Sequence, residues 1–135
     1  MFENKYVNLK KKYESKREEK IMQKMENILN SPLKEKGNLI NGSFDDMLLK
    51  ERIAFKALYW RLEELVNFFE GVEIVRPPKD LQEYFDKIGK LSAVDSEGIN
   101  LYEMKFFLEK KFLNPQRRPG QRKVADQILR KLFKY

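Results

Sequence analysis

The spacing of apolar side chains constrains the fold of this chain more than any other feature of its sequence. Apolar residues recur at steps of three and four over long stretches, and no segment shows sustained alternation of apolar and polar residues. A three- to four-residue repeat places side chains on one face of an α-helix, whereas a half-buried strand needs a two-residue repeat. The sequence therefore predicts an all-α fold of about five helices: two long N-terminal helices followed by a smaller C-terminal three-helix unit.

Turn-forming and breaking residues delimit the two long helices. A first helix is predicted over residues 3–30, and a connector rich in turn formers follows over residues 31–42. A second helix runs from Phe44 to Glu70 and ends at Gly71, a residue suited to the position after a helix C-terminus. This helix is apolar on most sides, which predicts that it forms the centre of the core. Its two aromatic pairs are expected to pack there: Tyr59-Trp60 and Phe68-Phe69.

Three shorter helices are predicted after the second helix. The run from Val72 to Val75 precedes two prolines, so we expect an extended connector there rather than a sheet strand. Asp80 can cap a third helix that ends at Gly89, and Asn100 with Glu103 forms a capping pattern for a fourth. The predicted bounds are about 80–88, 101–113 and 121–134.

We expect a single helical domain over residues 1–135. Residues 1–30 form a charged helix that either projects as an arm, pairs with another chain or packs on the central helix of its own chain. Residues 79–135 form a C-terminal three-helix subregion with the element order of a helix-turn-helix. The connector over residues 114–120 is longer than the three or four residues usual for that motif.

The residue types that are missing exclude several kinds of chemistry. The chain has 135 residues with no cysteine and no histidine, which removes disulfides, thiolate or imidazole metal ligands, and catalysis by a thiol or an imidazole base. No phosphate-binding glycine-rich signature is present. No apolar run approaches the roughly 20 residues of a membrane span, and the N-terminus lacks the pattern of a secretion signal. We therefore expect an intracellular protein without enzymatic activity, cofactor, metal or membrane contact.

Positive charge is concentrated at the two ends of the chain. The net charge of +7 divides into +4 for residues 1–40, −4 for residues 41–100 and +7 for residues 101–135. Four of the eight arginines lie in the last 20 residues, and the planar arginine fork suits phosphate or carboxylate better than the point charge of lysine. The C-terminal segment is therefore the candidate anion-binding surface.

The candidate nucleic-acid contacts lie in a basic turn and the helix that follows it. Arg117 and Arg118 precede a helix N-terminus, which favours anions, and further cations follow one helical face. In the helix-turn-helix version the start of the last helix faces base edges. In the alternative interpretation the same residues are only the solvated face of a surface helix. The candidate residues are Arg117, Arg118, Gln121, Arg122, Lys123, Arg130, Lys131 and Lys134.

Two functional hypotheses follow from these patterns. The first is a nucleic-acid-binding protein, DNA or RNA, that acts as a small subunit of a nucleoprotein assembly. The second is a helical protein-interaction module (an adaptor, a scaffold or a viral structural component) that associates through its long N-terminal helix, residues 1–30. In the second case the basic C-terminal segment would meet an acidic protein.

Overall fold

The computed structural model describes residues 2–31, 44–92 and 99–133, and it confirms the all-α prediction. Two long helices precede three shorter ones, as expected from the apolar spacing, and no strand occurs within the described ranges. The predicted connector over residues 31–42 lies outside these ranges except for Ser31. The helices are α1 (Phe2–Asn30), α2 (Phe44–Phe68), α3 (Lys79–Ser92), α4 (Leu101–Phe112) and α5 (Pro119–Phe133).

The chain falls into two compact units, residues 1–31 and residues 32–135. The first unit is α1, whose 29 residues give a helix about 44 Å long. Every residue from 11 to 20 is exposed, including Tyr13, which is 76% exposed. An exposed side-chain bond links successive turns, because Gln23 Nε2 donates to Asn27 Oδ1 at 3.0 Å. Residues 11–20 of α1 therefore present an exposed and mostly charged surface.

In the second unit α2 is the central helix, as its broad apolar surface predicted. It packs against α3 and α5, and its aromatic side chains reach α4. Phe55 and Phe107 meet edge to face with ring centroids 5.7 Å apart, and Tyr59 lies 5.2 Å from Phe112. Phe55, Phe107 and Phe112 are completely buried, so these rings hold α4 on α2 by area burial and favourable ring geometry.

Three helix boundaries differ from the prediction by two residues or more, and the first is the end of α2, which lies at Phe68 rather than Glu70. α3 continues through Gly89 to Ser92, although glycine inside a helix costs about 1 kcal/mol relative to alanine. α3 packs along α2 and buries Ile88 completely, so tertiary packing outweighs the glycine penalty. α5 begins at Pro119, two residues before the predicted start, because proline has no N–H to lose and its fixed φ suits the first helical position.

The expectation that both aromatic pairs of α2 pack in the core was wrong for one member of each pair. Trp60 is 53% exposed and Phe68 is 79% exposed, whereas Tyr59 packs against the rings of α4. Adjacent residues of a helix point about 100° apart, so the two members of such a pair rarely share one buried face. α2 therefore carries exposed aromatic surface as well as the core.

The segment from Val72 to Pro78 contains neither helix nor strand, as its prolines predicted. It leaves α2 through Gly71, whose φ of +79° is left-handed and reverses the chain direction at the helix end. None of the described helices is long and apolar enough to cross a membrane.

Candidate nucleic-acid interface

The basic turn connects α4 and α5 through a short hydrogen-bonded segment, residues 113–118. Asn100 caps the start of α4, accepting a 2.8 Å bond from the Glu103 backbone N–H, as its capping pattern predicted. At the other end the Asn114 side-chain Oδ1 accepts from the Gln116 N–H at 2.9 Å, and the Asn114 backbone carbonyl accepts from the Arg117 N–H at 2.9 Å. These bonds fix the turn that places Arg117 and Arg118 between the two helices.

Arg117 is held against the end of α4. Its Nε donates to the carbonyl of Lys111 at 2.8 Å, and its guanidinium carbon lies 4.7 Å from the centre of the Phe112 ring. A cation at a helix C-terminus satisfies an orphan carbonyl and opposes the helix dipole. Arg117 therefore stabilises α4 and is oriented by it.

Arg118 and Gln121 contact the C-terminal end of α2. Arg118 Nη2 forms a 2.9 Å ion pair with Glu70 Oε2, in which the arginine side chain is 69% exposed and the glutamate 31% exposed. Gln121 is buried, with 7% exposure, and its Nε2 donates to Asn67 Oδ1 at 3.2 Å. Further along α5, Gln127 Oε1 accepts from the Ile74 N–H at 3.0 Å. These contacts dock α5 and the turn before it on the end of α2 and on the connector that follows α2.

The remaining predicted residues lie along α5. Lys123 and Lys131 are exposed, and Arg130 pairs with Asp126 one turn away at 3.0 Å. Arg122 is partly buried, and its Nε is buried without a hydrogen-bond partner in the described structure. Lys134 lies outside the described residues. The structure thus leaves a cationic strip that begins with Arg117 and Arg118 in the turn and continues along the exposed side of α5.

The burial of the first turns of α5 bears on the helix-turn-helix version of the site. That version requires Gln121, Arg122 and Ala125 to face base edges. Gln121 and Ala125 are buried, Ala125 completely, and Gln121 is hydrogen-bonded to α2. In this conformation the face that would read bases therefore lies inside the fold, and only phosphate contacts are open to the solvent-facing cations.

The carboxylates of the described residues do not converge on a metal site. No group of three or more aspartate or glutamate side chains in those ranges could hold a metal ion. The acidic residue nearest in sequence to the cations of α5, Asp126, is already paired with Arg130. The cations of the turn and of α5 can attract an anion.

Sequence reasoning missed a second cationic feature, a groove between α2 and α3. Lys50, Lys87 and Lys90 line it together with apolar side chains. Lys87 and Lys90 lie in the acidic middle segment of the chain, where net charge hides local positive charge. The signal that could have revealed the groove is the apolar excess of α2, which offers more apolar faces than its neighbours cover.

No known protein family, curated protein or solved structure matches this chain.

Proposed function

We propose that this protein is a non-enzymatic nucleic-acid-binding protein that contacts phosphates through the turn before α5 and the exposed side of α5. The supporting observation is the charge of this strip: from Arg117 to Lys131 six cations accompany a single acid, Asp126. Lys123 and Lys131 are exposed and eight residues apart, which is about 12 Å along a helix, so each can contact a different phosphate of one strand. The proposed role is that of a small intracellular subunit of a nucleoprotein assembly.

The internal contacts of the arginines are compatible with this role. The Arg118–Glu70 and Arg130–Asp126 pairs are largely exposed, and exposed ion pairs contribute only about 0–1 kcal/mol to stability. A phosphate can therefore replace either carboxylate at little cost. Arg117 needs no rearrangement, because its Nε bond and its ring contact use one edge and one face of the guanidinium.

The test is a salt titration of binding to labelled single-stranded DNA, double-stranded DNA and RNA, followed by fluorescence anisotropy. The logarithm of the binding constant should fall linearly with the logarithm of the salt concentration. Replacing both exposed lysines, Lys123→Glu with Lys131→Glu, should make the slope on double-stranded DNA less steep by about 1.8, or 0.9 for each lost contact.

The matched control carries the same charge change at two exposed residues outside α5 and its turn, Arg76→Glu with Lys79→Glu. It should bind nearly as the unmodified protein does, with an unchanged slope. The proposal fails if the unmodified protein shows no salt-dependent binding to any of the three ligands, or if the control loses as much affinity as the α5 variant.

The second candidate function is protein association through α1. Its supporting observation is the exposed stretch of residues 11–20, in which Tyr13 is an apolar side chain between charges. Helices pair through apolar residues that recur along one face, and Tyr13 is the exposed apolar residue of this stretch. Sedimentation at high salt tests it: a dimer that Tyr13→Glu dissociates supports this function, whereas a monomer at all concentrations contradicts self-association through α1.

A further inference from the structure

An apolar groove of about 430 Å³ lies between α2 and α3. Its apolar wall is formed by Ile53, Ala54, Ala57, Tyr84 and Leu91. Ile53 is 38% exposed, which is unusual for a branched aliphatic residue on the central helix of a core. The groove is far from the strip on α5 in sequence and belongs to a different pair of helices.

Both walls of the groove have the spacing of a helix-packing face. On α2 the lining residues Lys50, Ile53, Ala54 and Ala57 follow the steps i, i+3, i+4 and i+7, the pattern that faces a neighbouring helix. On α3 the residues Tyr84, Lys87 and Leu91 follow i, i+3 and i+7. Each wall is therefore two helical turns long, about 10 Å.

The size of the side chains favours a helix in this groove. Ala54 and Ala57 are small residues one turn apart on α2, so a third backbone can approach closely, as ridges-into-grooves packing of helices requires. A helix that presents apolar residues at i, i+3 or i+4, and i+7 has anchors spread over the same two turns. The length and the shape of the groove fit a helical segment of two turns.

The charge around the groove indicates which kind of helix would bind there. The three lysines that line the groove, Lys50, Lys87 and Lys90, are all exposed, and none of them forms an ion pair within the described part of the chain. Lys87 lies over the Tyr84 ring, with its Nζ 5.8 Å from the ring centroid. Lysine stems can extend the apolar wall while the ammonium groups stay in water. A complementary helix therefore carries carboxylates on both sides of its apolar stripe.

The same charges argue against a second copy of this chain. Two such grooves face to face would bring six lysines together, and like charges opposed across an interface are unfavourable. α1 of another copy is also a poor partner, because its residues carry eight basic and five acidic side chains. We propose that the groove between α2 and α3 docks an acidic amphipathic helix of a different protein, independently of the proposed nucleic-acid binding.

The test uses synthetic peptides and the full chain. The main probe is a labelled peptide of about 15 residues, near the length at which an isolated helix is marginally stable, with leucines at i, i+3, i+4 and i+7 flanked by glutamates. One control peptide has the same composition in shuffled order, and another has lysine in place of each glutamate. Binding is measured by fluorescence anisotropy, and the site is located by NMR shifts of the Ala54 and Ala57 methyl groups.

Only the acidic amphipathic peptide should bind tightly and shift both methyl groups. Lys87→Glu with Lys90→Glu should weaken its binding roughly 10-fold, because two exposed attractions become repulsions. Ile53→Ser should weaken binding through the apolar wall without any change of charge. The control Arg76→Glu with Lys79→Glu should change affinity by less than about twofold, because both residues lie outside the groove.

Three results would overturn the proposal. The first is an acidic peptide that binds no better than its shuffled or lysine counterpart, or that does not bind at all. The second is a groove variant that binds as well as the control variant. The third is palmitate, tested below its micelle concentration, shifting the alanine methyl groups when the peptide does not; the groove would then be a site for a lipid anion. Loss of nucleic-acid binding in the α5 variant leaves this experiment unaffected.

Discussion

Gly71 and Gly89 give a direct test of the backbone conformation after α2 and within α3. Gly71 has a φ of +79°, and a Cβ built on it would meet nothing within 4 Å. Gly89 lies inside α3, and a Cβ there also meets nothing within 4 Å. Since space is equal at the two positions, Gly→Ala measures backbone conformation alone.

The two substitutions should have opposite signs. An L-residue in the left-handed region costs about 1–2 kcal/mol, so Gly71→Ala should destabilise the protein by about 1 kcal/mol after the smaller entropy of the unfolded alanine chain is included. Gly89→Ala should stabilise it by about 0.8–1.0 kcal/mol through helix propensity. The two variants should thus differ by about 2 kcal/mol, or roughly 8 °C in Tm for a chain of this size.

Thermal and urea denaturation followed by circular dichroism measure both effects. Gly71→Asn serves as a further control, since asparagine tolerates the left-handed region better than alanine and should fall between Gly71→Ala and the unmodified protein. The reasoning is refuted if Gly71→Ala is as stable as the unmodified protein, or if Gly89→Ala is destabilising. The second result would mean that α3 does not continue through Gly89.

Three further predictions concern the packing and the buried charge of the molecule. Gly120→Ala should destabilise the protein by about 1 kcal/mol in urea denaturation, because a Cβ would lie 3.0 Å from Glu70 Cγ and 3.3 Å from the Gly71 nitrogen. An increase in stability would contradict the close packing of α5 on α2. Phe107→Ala should cost about 3–5 kcal/mol by the same assay, because the ring is completely buried and meets those of Phe55 and Tyr59; a loss below about 1 kcal/mol would show that α4 is not held this way. Burial, and secondarily the charge of Arg52, lower the pKa of Lys56 from its ordinary 10.5, so the unfolded state binds more protons between the lowered pKa and 10.5. Over that pH range the unmodified protein should gain stability relative to Lys56→Met as the pH rises, by at most about 1.4 kcal/mol per pH unit. A difference in unfolding free energy between the two proteins that does not change with pH would contradict the lowered pKa.

Most of the helices could be predicted from interactions between residues that are close in sequence. Apolar spacing predicted five helices in the right order, Gly71 marked the end region of α2, and Asn100 capped α4. These features depend on residues within a few positions of one another, where propensity and capping act. The prediction failed at Gly89, because the packing of α3 on α2 outweighs the local cost of a glycine.

The candidate site was harder to predict, because its side chains are arranged by contacts between distant positions. Gln121 reaches Asn67, and Arg118 reaches Glu70. Nothing in the spacing of residues 116–134 indicates that the C-terminal end of α2 lies against this helix. Sequence therefore identified the charged segment, while only the fold shows which of its residues face α2 and which face solvent.

The contacts of the arginines indicate which kind of nucleic-acid binding to expect. Local arginine enrichment suggested anion recognition, but Arg117, Arg118 and Arg130 each contact a group of this chain, whereas Lys123 and Lys131 are exposed without such a contact among the described residues. Arginine reads guanine by a bidentate fork in the major groove, and lysine binds phosphate as a point charge. In a surface whose exposed, uncontacted cations are lysines, and whose helix face suited to base edges is buried, contact with the nucleic-acid backbone is favoured over contact with base edges. The proposed nucleic-acid binding should therefore depend steeply on salt and little on sequence, and a strong preference among duplexes of equal length would require α5 to leave its position on α2.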